Sequence, residues 1–302
     1  MAKQQKLCKS QPGTDNAYHV DWFAFRETDV TTSPMPGAVR AVRCGGAALF
    51  CSACLAGYAA AQGATPVPQV RPEDTEVWQP VPATAPARVA NGAPPTDAIV
   101  LFDGRNLAEW VNVRDGSAAG WAVRDGLMIV DKAAGNIETR RRFRDYELHL
   151  EWRVPATITG AGQARGNSGV FLASTGGADR GYELQILDSY DNATYVNGMA
   201  GSIYKQSIPH ANPSRKPGEW QSYDVRWTAP RFAADGSLAT PARVTVHFNG
   251  VLVQDDFELR GETVYIGAPR YSPHGDAPIK LQAHNDPSEP IAFRNIWVRA
   301  LQ

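Results

Sequence analysis

From Asp97 onward, apolar and polar side chains change places residue by residue over short runs, the period of a strand with one buried face. Such runs cover Ile99–Phe102, Trp121–Arg124, Leu127–Val130, Tyr146–Val154, Val170–Ala173, Tyr182–Leu187, Gln221–Thr228, Ala242–Phe248, Val251–Asp255, Ile279–Ala283 and Ile291–Ala300. Asp125-Gly126, Asp235-Gly236 and Asn249-Gly250 fall between strand-like runs, where a tight hairpin turn needs residues that tolerate positive φ. No segment from 97 to 302 carries a helical apolar stripe of any length. The pattern predicts an all-β fold, a sandwich of two antiparallel sheets of jelly-roll type in preference to a barrel.

Three of these runs put chemistry on one face. In Gly166–Asp188 two runs flank a turn at Gly176-Gly177 and Gly181, which reads as a hairpin. Along its second run Glu183 and Gln185 point one way while Tyr182, Leu184 and Ile186 point the other. Along DYELHLEWRV, Tyr146, Leu148, Leu150 and Trp152 take the core side and leave Glu147, His149, Glu151 and Arg153 opposite. Gln282 and His284 likewise share a face of KLQAH. A solvated outer surface is the ordinary reading of any one such strand. The shared His, Glu, Arg and Gln composition, with little Lys, Ser or Thr, suits sugar hydroxyls instead.

Upstream of Asp97 the pattern breaks. Residues 1–34 show no sustained periodicity and are assigned to no fold; if Met35 is the true start, they are an artefact of start-site choice. Arg40 and Arg43 precede the apolar run Ala47–Ala61, which ends in Ala59-Ala60-Ala61. That order describes a signal peptide over residues 35–61 and a periplasmic or secreted bacterial protein, with an uncleaved anchor or a lipoprotein as the alternatives, the second lacking the Leu normally found three residues before the lipid-bearing Cys at both Cys51 and Cys54. All four cysteines (Cys8, Cys44, Cys51, Cys54) lie before the cut, so the mature chain would hold no thiol. Residues 62–96, with eight prolines, read as an extended linker or surface strap in which Trp78 alone has something to bury. A net charge of −1 gives no sign of a nucleic-acid partner.

An ordered set of motifs points further: LFDG..L..W at 101–110, W.V.DG at 121–126, NSGVF at 167–171, YELQILD at 182–188, SIY at 202–204, KPGEWQSYDV at 216–225, HFNG at 247–250, LQAH at 281–284 and FRNIWVR at 293–299. Together they resemble the bacterial 3-keto-disaccharide hydrolase family over nearly all of 97–302. The resemblance implies a concanavalin-like jelly roll, a small carbohydrate substrate, and cleavage of 3-keto-glycosides by elimination across C1 and C2 followed by hydration. The C3 ketone acidifies the C2 proton. Such a site needs a base for that proton, a donor or metal for the enolate oxygen, and an acid for the leaving oxygen.

Glu183 is the expected base, with His284 as proton donor or metal ligand and Glu151 as a third catalytic candidate. Arg153, Gln185, Asp188, His149, Asn167, Ser168, Tyr204 and Gln282 are the expected substrate contacts. Each has a plainer alternative: Glu183 a structural carboxylate, His284 a strand-end histidine bonded to its turn, Asn167 and Ser168 a turn before a strand, Tyr204 core. Trp220, Arg294 and Asn295 read as packing and anchoring residues. The tight LQ.HG turn usual in the family is here LQAHND. No cofactor is required by the pattern, and a divalent cation is left open because spacing alone does not establish one. Two rival functions stand beside this one. A laminarinase-like glycoside hydrolase would want E.D..E where this chain has Glu183, Gln185 and Asp188 in E.Q..D. The other rival is a carbohydrate-binding domain without catalysis.

Overall fold

The computed structural model describes residues 70–88 and 92–301. The expected segments 1–34 and 35–61 lie outside these residues. The described chain belongs to one unit, Thr65–Gln302. Its strands are, in chain order, β1 (Ile99–Phe102), β2 (Trp110–Asn112), β3 (Ala122–Arg124), β4 (Leu127–Ile129), β5 (Ile137–Thr139), β6 (Tyr146–Arg153), β7 (Ser168–Ser174), β8 (Gly181–Ile186), β9 (Gln221–Thr228), β10 (Arg231–Phe232), β11 (Leu238–Thr240), β12 (Arg243–Phe248), β13 (Val251–Glu258), β14 (Lys280–Leu281) and β15 (Ala292–Ala300).

All pairings between them are antiparallel. The larger sheet runs β13-β12-β9-β6-β15-β4-β3, with β1 also pairing β15; the smaller runs β2-β5-β14-β7-β8; β10 and β11 form a separate ribbon. This is the expected jelly-roll sandwich. Two hairpin turns adopt the left-handed conformation their sequences require, with φ of 52° and 75° at Asp125-Gly126 and 48° and 72° at Asn249-Gly250. β15 carries a bulge where its register against β6 shifts between Arg294 and Trp297, and Asn295 sits there at φ 47°.

The sheets are held by an aromatic-rich core. Trp110, Trp152, Trp227, Tyr146, Tyr182, Tyr223, Phe248 and Phe293 are each 1% exposed or less. Two phenols also bind across the sandwich: Tyr146 on β6 donates to the Leu172 carbonyl on β7 at 2.5 Å, and Tyr223 on β9 donates to the Gln185 carbonyl on β8 at 2.7 Å. Each buried hydroxyl thereby satisfies itself and ties one layer to the other.

Residues 70–88 lie along this domain. The Val77 amide donates to Asn197 Oδ1, the Val196 amide to the Val77 carbonyl, and Thr84 bridges Asn212. Trp78 is not buried, however: its ring meets Tyr195 edge-on and it is 55% exposed. Among the described residues no helix is long and apolar enough to cross a membrane.

Candidate active site

The outward face of the smaller sheet carries the polar residues of its alternating strands. Val170 and Leu172 of β7, Leu184 and Ile186 of β8, and Leu281 of β14 belong to the core, so the residues between them point away from the sandwich. Register sets them in rows. Lys280 pairs Phe171, which pairs Glu183; in the next row the Gln282 amide donates to the Gly169 carbonyl and Gly169 pairs Gln185.

Gly169 makes room for the Glu183 side chain. A Cβ there would stand 2.4 Å from Glu183 Oε1 and 3.1 Å from its Cγ and Cδ, so the Glu183 side chain lies over the bare glycine backbone. Glu183 is 5% exposed. Burial raises its pKa well above the ordinary carboxylate value; the Asp179 charge adds to the rise and Lys280 opposes it, with no hydrogen bond to lower it. Beside it, the amide oxygens of Gln185 and Gln282 are buried without a partner among the described residues. A buried carboxyl and two unpartnered amide oxygens on one face are costly to folding unless something else binds them.

The edge of β8 is closed by a turn that brings phenols to the carboxyl. The Tyr204 amide donates to the Glu183 carbonyl, and the Gln185 amide to the Ser202 carbonyl. Ile203 bridges Leu184 and faces the core, which leaves Tyr204 on the Glu183 side. The Tyr204 and Tyr195 hydroxyls bond each other at 2.7 Å, and burial, reinforced by the Glu183 charge, raises both phenol pKa values. Lys205, at φ 57°, donates to the carbonyls of Pro72 at 2.7 Å and Tyr265 at 2.9 Å. Its ammonium lies 5.6 Å from the Tyr195 ring centre and 4.7 Å from that of Tyr265. Lys280 is structural. Its ammonium donates to the carbonyls of Gly176, Ala178 and Arg180, closing the β7–β8 turn, and burial lowers its pKa to about 8.

Of the expected site residues, the fold brings Glu183, Gln185, Gln282 and Tyr204 together. Asn167 joins them indirectly, donating to Gln163, whose Oε1 accepts from Gln185. Ser168 points the other way and donates to the Gln282 carbonyl at 2.8 Å, so it positions that strand. Asp188 forms an ion pair with Arg165 at 2.7 Å, yet burial outweighs the pairing and its pKa is raised. His284 follows Gln282 beyond the end of β14, partly exposed, with Nδ1 3.3 Å from Asp286 Oδ2. Asp286 also pairs Lys132 at 3.2 Å.

Glu151, His149 and Arg153 do not belong to this site. They project from the outer face of the larger sheet, whereas Glu183 projects from the outer face of the smaller one, with the core between. Their groups are engaged there. Glu151 holds Arg294 and Asn295, at 2.6 and 2.9 Å, and its Oε1 lies 3.6 Å from His149 Nε2. His149 Nδ1 bonds Asp224 at 2.7 Å and its ring stacks on Trp297. Gly92 covers the cluster, accepting from Asn295 and Trp297, and a Cβ on it would stand 2.9 Å from His149 Nε2. Arg153 and Arg294 both stack on Trp220. Tyr195, Gln163 and Lys205 are not legible as site residues in the sequence, because they sit in loops whose spacing carries no period; Gly169 stands in the NSGVF motif, but its part in seating Glu183 shows only in the structure.

Among the described residues no three His, Cys, Asp or Glu side chains converge as a metal site. A hard cation at Glu183 would meet one carboxylate and two amide oxygens, fewer charges than tight capture of a divalent ion usually involves. A cleft of about 250 Å³ lined by Glu138, Arg142, Ser174, His274 and Asp276 opens at the far end of β7 and does not include Glu183.

Comparison with known proteins agrees with this fold. The 3-keto-alpha-glucoside-1,2-lyase-like domain matches residues 97–299. A crystal structure of a presumed glycosyl hydrolase from Parabacteroides distasonis is 51% identical, covers 76% of this chain and 96% of its own, and superposes with a TM-score of 0.66. A second such structure from the same organism, at 21% identity, covers 68% of this chain and 94% of its own with a TM-score of 0.50, a likeness of fold. No curated protein matches the chain. On the match over 97–299 and the 51% identity, the chain belongs to the 3-keto-alpha-glucoside-1,2-lyase-like domain family.

Proposed function

We propose that this carbohydrate-active domain cleaves 3-keto-glycosides by C1–C2 elimination and hydration, with Glu183 as the base. The observation that carries the reading is the Glu183 carboxyl: buried, free of hydrogen bonds among the described residues, and held over Gly169 between two unpartnered amide oxygens. Desolvation raises such a carboxyl toward the range in which a base can both exist ionised and accept a proton firmly. Glu183 takes the C2 proton and the electron pair moves toward C3, leaving an enolate oxygen. Tyr204, its hydroxyl backed by Tyr195, donates to that oxygen; its raised pKa keeps the proton on the phenol. The enolate collapses to expel the C1 oxygen substituent, which takes a proton from His284, and C1 and C2 become doubly bonded. Water then adds across that bond, with its hydroxyl on C1 and the returned proton on C2, to give the free 3-keto sugar. Gln185 and Gln282 accept hydrogen bonds from sugar hydroxyls through their open oxygens.

Two points support elimination over double-carboxylate hydrolysis. A retaining glycosidase holds two carboxyl groups about 5 Å apart. Here the residue two positions after Glu183 is an amide, and Asp188 is paired to Arg165. The test is to offer the purified protein a 3-keto-disaccharide and its unoxidised parent. Turnover of the oxidised sugar alone is expected; equal hydrolysis of both supports the laminarinase-like alternative, and binding without turnover of either supports a carbohydrate-binding domain.

A further inference from the structure

Trp78 is out of place as a structural residue. It is a large aromatic, 55% exposed, on a strap fixed to the domain before it at Thr75 and Val77 and after it at Thr84. Its indole is oriented: Nε1 donates to Glu76 Oε2 at 3.3 Å and the ring meets Tyr195 at 6.1 Å and 74°. Tyr195 is the residue whose hydroxyl bonds Tyr204 beside Glu183, so Trp78 stands one ring outward from Tyr195 and two from the candidate base.

A second exposed ring completes the arrangement. Tyr265 is 56% exposed, and Lys205 clamps its carbonyl and the Pro72 carbonyl of the strap with one ammonium. That clamp fixes the strap and the Tyr265 segment against the same Tyr195–Tyr204 wall. Exposed aromatic surface held in place beside a polar sheet face is a recognition feature, because rings present apolar faces that complement the C–H face of a pyranose. The polar face at Glu183, Gln185 and Gln282 suits the ring whose hydroxyls must be read.

We propose that Trp78 and Tyr265 form the subsite for the departing sugar ring of a disaccharide, which makes the proline-rich strap part of the substrate site. This rests on the elimination reading for which ring departs, though not for the binding of a second sugar. The subsite holds the outer ring by stacking while Glu183 acts on the inner one. Trp78 lies outside the reacting groups and acts on affinity for the second ring.

The full chain is assayed with a 3-keto-disaccharide and with the methyl 3-keto-glucoside, and maltose binding is measured by calorimetry. Trp78→Ala is expected to raise KM for the disaccharide about tenfold, leave the methyl glycoside unchanged, and weaken maltose binding by a similar factor. Trp78→Phe should recover most of both, and Tyr265→Ala should repeat the pattern more mildly. Equal effects on the two substrates, or none, with maltose binding unchanged, would overturn the subsite. Maltose binding lost in Trp78→Ala, in a protein that turns over neither keto sugar, keeps the subsite and removes the elimination reading. A wild type that binds no disaccharide and turns over none removes both.

Discussion

At the scale of single residues, the role proposed for Glu183 as a base is set against stability. A carboxylate whose folded pKa lies above its unfolded value favours folding only while protonated, so its contribution is present below the unfolded value of 4.5 and lost as pH rises through the folded value. Glu183→Gln keeps the shape and removes the charge. The variant is expected to match the wild type in stability near pH 4 and to exceed it increasingly toward pH 8, by on the order of 1–3 kcal/mol. Urea unfolding at the two pH values checks this. If the gain is the same at both, Glu183 does not ionise in a buried site. Gly169→Ala tests the space the carboxyl occupies. The added methyl must displace Glu183 Oε1 from 2.4 Å, and kcat/KM is expected to fall about 10- to 100-fold with a stability loss of about 1–3 kcal/mol.

Strands and hairpins show what alternation can and cannot tell. Period two along Tyr146–Arg153 separates the inward from the outward residues correctly, and the β7–β8 hairpin closes where its glycines fall. A sandwich has two outward faces, however, and period two does not say which one a strand presents. Glu151 and Glu183 look alike in sequence for that reason, and only the non-local order β9-β6-β15 against β14-β7-β8 separates them. The four strands not expected, β2, β5, β10 and β11, are two or three residues long, too short to display a period. The Glu151 cluster predicts its own behaviour. Burial pulls the His149 pKa down, but Asp224 and Glu151 outweigh it and raise it to about 9. Burial pushes Glu151 up, but His149, Asn295 and Arg294 bring it to about 2. The histidine's contribution is whole below 6.5 and lost as pH rises through about 9; the glutamate's is whole above 4.5 and lost as pH falls through about 2. The cluster thus holds best between these inner limits. His149→Gln should cost about 2–3 kcal/mol at pH 6 and clearly less at pH 9.5, by urea unfolding. Glu151→Gln should leave kcat within about twofold of wild type, whereas a hundredfold loss would return Glu151 to the catalytic set.

For the whole molecule, the two sheets form a frame that carries the buried Glu183 carboxyl on one outer face and the Glu151 ion-pair cluster on the other. The phenols that bridge the layers couple frame to candidate site: Tyr223 bonds the carbonyl of Gln185, which lies beside Glu183 on the polar face. Tyr223→Phe is expected to cost about 1–2 kcal/mol by leaving that carbonyl unpaired, with a modest rise in KM. The central claim, that Glu183 removes the C2 proton of a 3-keto sugar, is tested most directly by NMR of the reaction in heavy water. Wild-type protein is predicted to place deuterium at C2 of the released 3-keto sugar, and Glu183→Gln to lose both cleavage and exchange. Cleavage that leaves C2 fully protonated, or exchange that persists in Glu183→Gln, would contradict it.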